Sequence, residues 1–137
     1  MRIKKVSQTT STQAQVVDGY STSATDSYSC NYANKLSTYS TDEIRIGTWM
    51  NKPLYRKVFT GNISSSISHG LTNVDFVNSY GYVISGSGAF LPLPSLRTIN
   101  PEYNIGYYVS ENYITFDKGG SASGTATITL EYTKTTD

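Results

Sequence analysis

One histidine and many hydroxyls are the first residues to test for chemistry. His69, in SISHGLTNVD, is the single imidazole among 137 residues, and nucleophilic catalysis needs a base within reach of its nucleophile. Asp75 and almost any serine complete a Ser/His/Asp set on paper, so the match carries no information. His-Gly before a polar step reads better as a turn at a strand end, with Gly70 supplying a positive φ. Paired carboxylates for glycoside hydrolysis would have to come from Asp42, Glu43, Asp75, Glu102, Glu111 or Asp117, and no spacing brings two of them together. No phosphate-binding loop, dinucleotide fingerprint or EF-hand loop is present. Cys30 is the single cysteine, which excludes an intrachain disulfide and any clustered Cys/His zinc site. The expectation is a chain without catalytic residues, metal or cofactor, and therefore not an enzyme.

Tyrosine is the residue type that does point somewhere. Twelve occur, and tyrosine suits half-buried strands and contact surfaces because its large amphipathic ring is ordered at little entropic cost. Tyr103, Tyr107 and Tyr108 cluster in sequence around a polar stretch, with Tyr80 and Tyr82 in another strand-like run. An aromatic face can stack on a sugar ring while neighbouring Asn and Arg bond its hydroxyls. Tyr103, Tyr107 and Tyr108 are therefore the candidate ligand-binding set; the alternative is that they fill a core edge or a subunit interface.

Composition limits the rest. The length allows one modest core. Eleven basic against ten acidic residues leave a formal charge of +1, too little for the electrostatic footprint of nucleic-acid binding. No apolar run approaches the ~20 residues that span a bilayer, and MRIKKVSQTTSTQ lacks a secretion signal's hydrophobic stretch. A soluble, unsecreted chain with no membrane insertion is expected.

The elements that must position these residues fall into three parts. Residues 1–25 hold only Val16, Val17 and Tyr20 as large apolar side chains between Ser7 and Thr25; such an arm cannot bury enough surface to fold alone. Residues 26–42 form a connector in which Tyr28, Tyr32 and Leu36 recur every four residues, the spacing of one face of a short helix capped by Asp26 or Ser27. Two or three chains could pool that stripe into a shared plug; alternatively it packs on its own domain. Residues 43–137 read as strands. EIRIGTWM and PLYRKVF, separated by Asn51 and Lys52, form a β-hairpin with Pro53 at a strand start or edge. Its basic residues are expected on the wet side, with Trp49 or Leu54 inward. NVDFVNSYGYVIS is a strand bent or bulged at Ser79 to Gly81. GSGAFLPLP is a turn and a short edge strand, and SLRTINPEYN an excursion loop. NIGYYVS, YITFDK and TATITLEYT read as a three-stranded meander. In the last of these Ala126, Ile128, Leu130 and Tyr132 share a buried face and Thr127, Thr129, Glu131 and Thr133 a wet one. Six to eight strands without a long helix predict an all-β, antiparallel β-sandwich, jelly-roll-like, preceded by an extended N-terminal arm and a short helix.

Read in order, SATDSYSCNYANKL, STYSTDEIRIGTWMNKPLYRKVF, SHGLTNVD, LPLP and ITLEYTKTTD resemble the C-terminal modules of bacteriophage and prophage fibre proteins. The resemblance runs from about Thr25 to the C-terminus and is most specific in the hairpin and the terminal segment. It departs at the hairpin tip, where Asp-Gly commonly precedes Lys-Pro and Asn51-Lys52-Pro53 stands here. It implies a virion structural protein, made in the bacterial host cytoplasm, with a β-domain at the end of a homotrimeric fibre. Residues 1–25 would then attach to other virion proteins, the capsid or a fibre base, and the β-domain would meet a host surface or glycan. It also implies that the hairpin lies close to a subunit interface, which adds Trp49 and Tyr55 to Tyr28, Tyr32 and Leu36 as assembly candidates. A short head fibre, a decoration protein and a tail tip all fit. The competing expectations are a monomeric carbohydrate-binding module, a purely structural trimerisation cap and, last, a polysaccharide hydrolase.

Overall fold

Short β-branched and aromatic runs, punctuated by glycine, asparagine and serine, give the described residues, 37–137 of the computed structural model, eight strands and one 3-10 turn. The strands are β1 (Ile44–Trp49), β2 (Lys52–Asn62), β3 (Ile67–Ser68), β4 (Val74–Ser85), β5 (Phe90–Pro92), β6 (Ile105–Val109), β7 (Tyr113–Lys118) and β8 (Gly124–Lys134). They build two antiparallel sheets, one of five strands in the order β1-β2-β8-β4-β5 and one of three in the order β3-β7-β6. Among the described residues the expectation of an all-β architecture with antiparallel sheets is met. The arm, Cys30 and the Tyr28, Tyr32, Leu36 stripe lie outside the described residues.

Period-two alternation sets the core. Ala126, Ile128, Leu130 and Tyr132 of β8 are fully buried and cluster with Phe59 of β2, Val83 of β4, and Ile105 and Ile114 of the three-stranded sheet. Full burial of one such side chain is worth roughly 1.5–3 kcal/mol. The long β8 reaches this depth because both its edges are paired, with β2 from Leu54↔Thr133 to Asn62↔Thr125 and with β4 from Val74↔Lys134 to Ser85↔Gly124. Gly81 sits opposite Ile128, and a Cβ there would run into the Thr127 carbonyl and the Ile128 side chain. Glycine is what lets the two strands lie this close.

Four expectations are corrected. β8 is not the third strand of a meander; β6 and β7 pair as a hairpin in the small sheet, and β8 inserts between β2 and β4 in the other. Its second face is not wet, because a central strand has neighbours on both sides: Thr129 and Thr133 are 5% and 3% exposed. The register shift in β4 falls between Phe76 and Asn78, not at Ser79 to Gly81, where pairing with β8 is continuous. At the β1–β2 hairpin the two turn residues are Met50 and Asn51, both with positive φ (46° and 66°), between the paired Trp49 and Lys52. That is the sense of twist favoured in two-residue hairpins.

The hairpin also places its side chains differently from expectation. Arg56 is buried at 8% exposure, whereas Trp49 is 48% exposed. Arg56 lies directly across from Glu131, and its Nε and Nη2 both donate to Glu131 Oε1 at 3.1 and 3.0 Å. Its guanidinium stacks 4.4 Å from the Tyr39 ring centroid, and the Tyr80 hydroxyl donates to the same carboxylate oxygen at 3.1 Å. Burial, then the hydrogen bonds with Tyr39 and Glu131, raise the Tyr80 phenol above its ordinary value. Pro53 is paired with β1 alone, one step before β2 begins to pair with β8, which satisfies its lack of an N–H.

Candidate functional site

Three loops meet at the Ser85/Gly124 end of the five-stranded sheet. The first is the β4–β5 turn, closed by Ser85 N–H donating to the Ala89 carbonyl at 2.9 Å and Gly88 N–H to Ser85 at 2.8 Å. Gly88 has a positive φ of 90°, the left-handed backbone that glycine adopts without a steric penalty. The second is the excursion between β5 and β6, pinched shut by reciprocal backbone bonds between Ser95 and Ile105, each 2.9 Å. Within it Arg97 N–H donates to Asn104 Oδ1, and the 3-10 turn Pro101–Tyr103 has proline at its start, where the missing N–H costs nothing. The third is the glycine- and serine-rich β7–β8 loop.

Backbone bonds stitch these loops together. Gly119 N–H donates to Asn104 at 2.9 Å, Ser121 N–H to Glu102 at 3.0 Å and Gly86 N–H to Ser123 at 3.2 Å. A Cβ on Gly119 would collide with the Glu102 backbone, so that position ties two loops only as glycine. The result is a preformed cavity of about 220 Å³. Buried Ile105 and Ala122, with Leu91, give it an apolar lining. Ser85, Ser87, Ser121 and Ser123 bring hydroxyls, and Arg97 and Tyr103 complete it, the guanidinium carbon 5.5 Å from the ring centroid. A hydroxyl both donates and accepts, so four of them around a small cavity suit a ligand that does the same.

The three candidate ligand tyrosines are not brought together. Tyr103 lines the cavity at 41% exposure. Tyr107 is half-buried against the core, its ring 6.5 Å from Phe116 and its hydroxyl donating to Ser79 Oγ at 3.0 Å. Tyr108, the next residue on the strand, is 58% exposed, as alternation requires. Arg97, Ser121 and Ser123 line the same cavity without belonging to the candidate set. Their only sequence signal is a glycine-flanked serine pair and a cation in the excursion loop, and both read equally well as turn chemistry.

The assembly candidates divide in the same way. Trp49 and Met50 stand exposed at the hairpin tip beside Phe76, at 48%, 82% and 38% exposure, and the three line one recess together with Val77, Thr133 and the charged Lys52 and Asp75. Tyr55 is engaged within its own chain: it stacks on Tyr132 with centroids 6.1 Å apart and donates to Asp137 Oδ2 at 3.0 Å. Tyr28, Tyr32 and Leu36 lie outside the described residues.

His69 is a structural residue. It is 3% exposed, set edge-on between Phe59 and Phe76. Its Nδ1 accepts from Leu71 N–H at 3.1 Å, which assigns the proton to Nε2, 3.0 Å from the Ser110 carbonyl oxygen. With both nitrogens committed, the ring has no lone pair to offer a nucleophile, and Gly70 beside it has the expected positive φ of 64°. Among the described residues no group of three or more His, Cys, Asp or Glu side chains could hold a metal ion, and no helix is long and apolar enough to cross a membrane. No family model, curated protein or solved structure matches this chain.

Proposed function

We propose that the chain is a non-enzymatic structural protein of a bacteriophage virion: a short homotrimeric head or tail fibre, attached through residues 1–25, whose β-domain meets the host surface. The observation that carries this reading beyond the sequence resemblance is the apolar hairpin tip. Trp49 and Met50 beside Phe76 form a patch that a lone subunit leaves in water and a neighbouring copy would cover. The nesting of β2-β8-β4 in one sheet with β3-β7 in the other supports a jelly-roll-like description of the domain.

The tip and the hydroxyl-lined cavity belong to opposite ends of β4, since Trp49 and Lys52 lie toward Val74 and the cavity borders Ser85. At ~3.3 Å per strand residue that is a separation of roughly 35 Å, enough for assembly at one end and attachment at the other. Light scattering on the intact chain is the test. The expected mass is three times that of the monomer, falling toward one chain in Trp49→Ser/Met50→Ser; a monomeric intact chain overturns the trimeric fibre. The cavity also favours a second reading, a monomeric carbohydrate-binding module, which predicts the monomeric mass together with saccharide binding.

A further inference from the structure

We propose that the loop-built cavity at the Ser85 end binds a polyhydroxylated ligand carrying one anionic group, with Arg97 as the residue that reads the charge. This rests on the attachment reading and names the ligand class of that site. At about 220 Å³ the cavity lies below the ~300–1,000 Å³ that drug-sized molecules fill, which points to a single sugar ring or a short polyol segment.

The polar groups are placed for such a ligand. Ser85 and Ser87 bond one another at 2.9 Å, while among the described residues the hydroxyls of Tyr103, Ser121 and Ser123, which line the same cavity, have no hydrogen-bond partner. Those three are open to a ligand's hydroxyls. Among the described residues Arg97 is the one charged side chain lining the cavity, and no carboxylate lines it. The two ion pairs among the described residues, Arg56–Glu131 and Lys134–Glu43, lie elsewhere. The guanidinium rests over the Tyr103 ring, and the main chain at Arg97 is held by Asn104 Oδ1. A planar fork restrained in this way suits a carboxylate or a phosphate, to which it can donate two parallel hydrogen bonds. A neutral sugar would use the hydroxyls and leave the charge unanswered.

Calorimetric titration of the intact protein with three probes tests this: a galacturonic-acid trisaccharide, the uncharged galactose trisaccharide and a glycerol-phosphate oligomer. The expected result is binding of at least one anionic probe about tenfold or more tighter than the neutral one, with the advantage lost in Arg97→Gln. Only partial recovery is expected in Arg97→Lys, which keeps the charge without the fork. The anionic probe that binds tells a carboxylated sugar from a polyol phosphate. Ser121→Ala/Ser123→Ala should weaken all binding. Equal affinity for neutral and anionic probes, unchanged by Arg97→Gln, overturns the inference and leaves a saccharide site. Binding of none of the probes by a folded protein overturns it outright. A monomeric mass by light scattering with Arg97-dependent binding intact removes the fibre and leaves the anion site standing.

Discussion

At the scale of single residues, the most consequential placement is Arg56, buried on the face of the hairpin that reads as solvated. The guanidinium is kept where it is by Glu131, 75 residues away and directly across the β2–β8 pair. Removing the carboxylate of a buried ion pair takes away the charge its guanidinium faces, and that loss outweighs what the intact pair contributes. Glu131→Ala should therefore lower stability by about 3 kcal/mol, read as a fall in the urea midpoint with an unchanged slope. A change within a few tenths of a kcal/mol would mean that Arg56 finds water or another partner. This pair was illegible in the sequence for a simple reason. Arg56 and Glu131 look like ordinary charges on the polar face of two alternating strands, and only knowing that those strands are neighbours makes them partners. The same limit applies to Arg97, Ser121 and Ser123, whose convergence depends on three loops folding to one end. The separation of Tyr107 from Tyr108, by contrast, was legible: adjacent strand residues face opposite ways.

At the scale of elements, alternation located β1, β2, β4, β6, β7 and β8, the short edge strand β5 and the excursion loop. What it could not assign was neighbours. TATITLEYT shows which face of β8 is buried but not which strands flank it, so a local meander was the natural reading of three consecutive runs. The β1–β2 turn illustrates a local preference overruled by strand pairing, which brackets it with Trp49 opposite Lys52. Left-handed backbone at Met50 and Asn51 favours Asn-Gly in a two-residue hairpin, and a side chain such as methionine pays roughly 1–2 kcal/mol there. Replacing Met50-Asn51 with Asn-Gly should raise the melting temperature, by about 1 kcal/mol of stability, in the monomeric state. If Met50 lies at a subunit contact, the same variant should weaken the trimer, so thermal melts at several protein concentrations separate the two effects. A fall in stability at every concentration would show that Met50 packs within its own chain.

At the scale of the whole domain, a clasp joins the residue before β1 to the end of β8. Glu43 accepts from Tyr132 Oη at 2.7 Å and from Lys134 Nζ at 2.6 Å. Burial pushes the Glu43 carboxyl up, but the hydrogen bonds from Lys134 and Tyr132 outweigh it and hold the group below its usual value of 4.5. A carboxylate depressed in the folded state contributes stability above its unfolded value, and that contribution disappears as pH falls through the folded one. The hydrogen bond to Glu43 raises Lys134 in turn, and its share persists at low pH only while Glu43 stays ionised. Both side chains are about a third exposed, so the clasp is worth less than about 1 kcal/mol. Melting curves of wild type and Glu43→Gln should differ at pH 7 and converge below pH 4.5; a gap that is the same at pH 3 would mean the charge is not the source. The central position of β8 matters at a different moment, while the chain is being made. Until Gly124–Lys134 has left the ribosome, β2 and β4 each lack the strand that lies between them in the folded sheet, and an unpaired strand edge is a template for wrong pairing. Nascent chains stalled short of that strand should be captured by chaperones, and those that include it should be released.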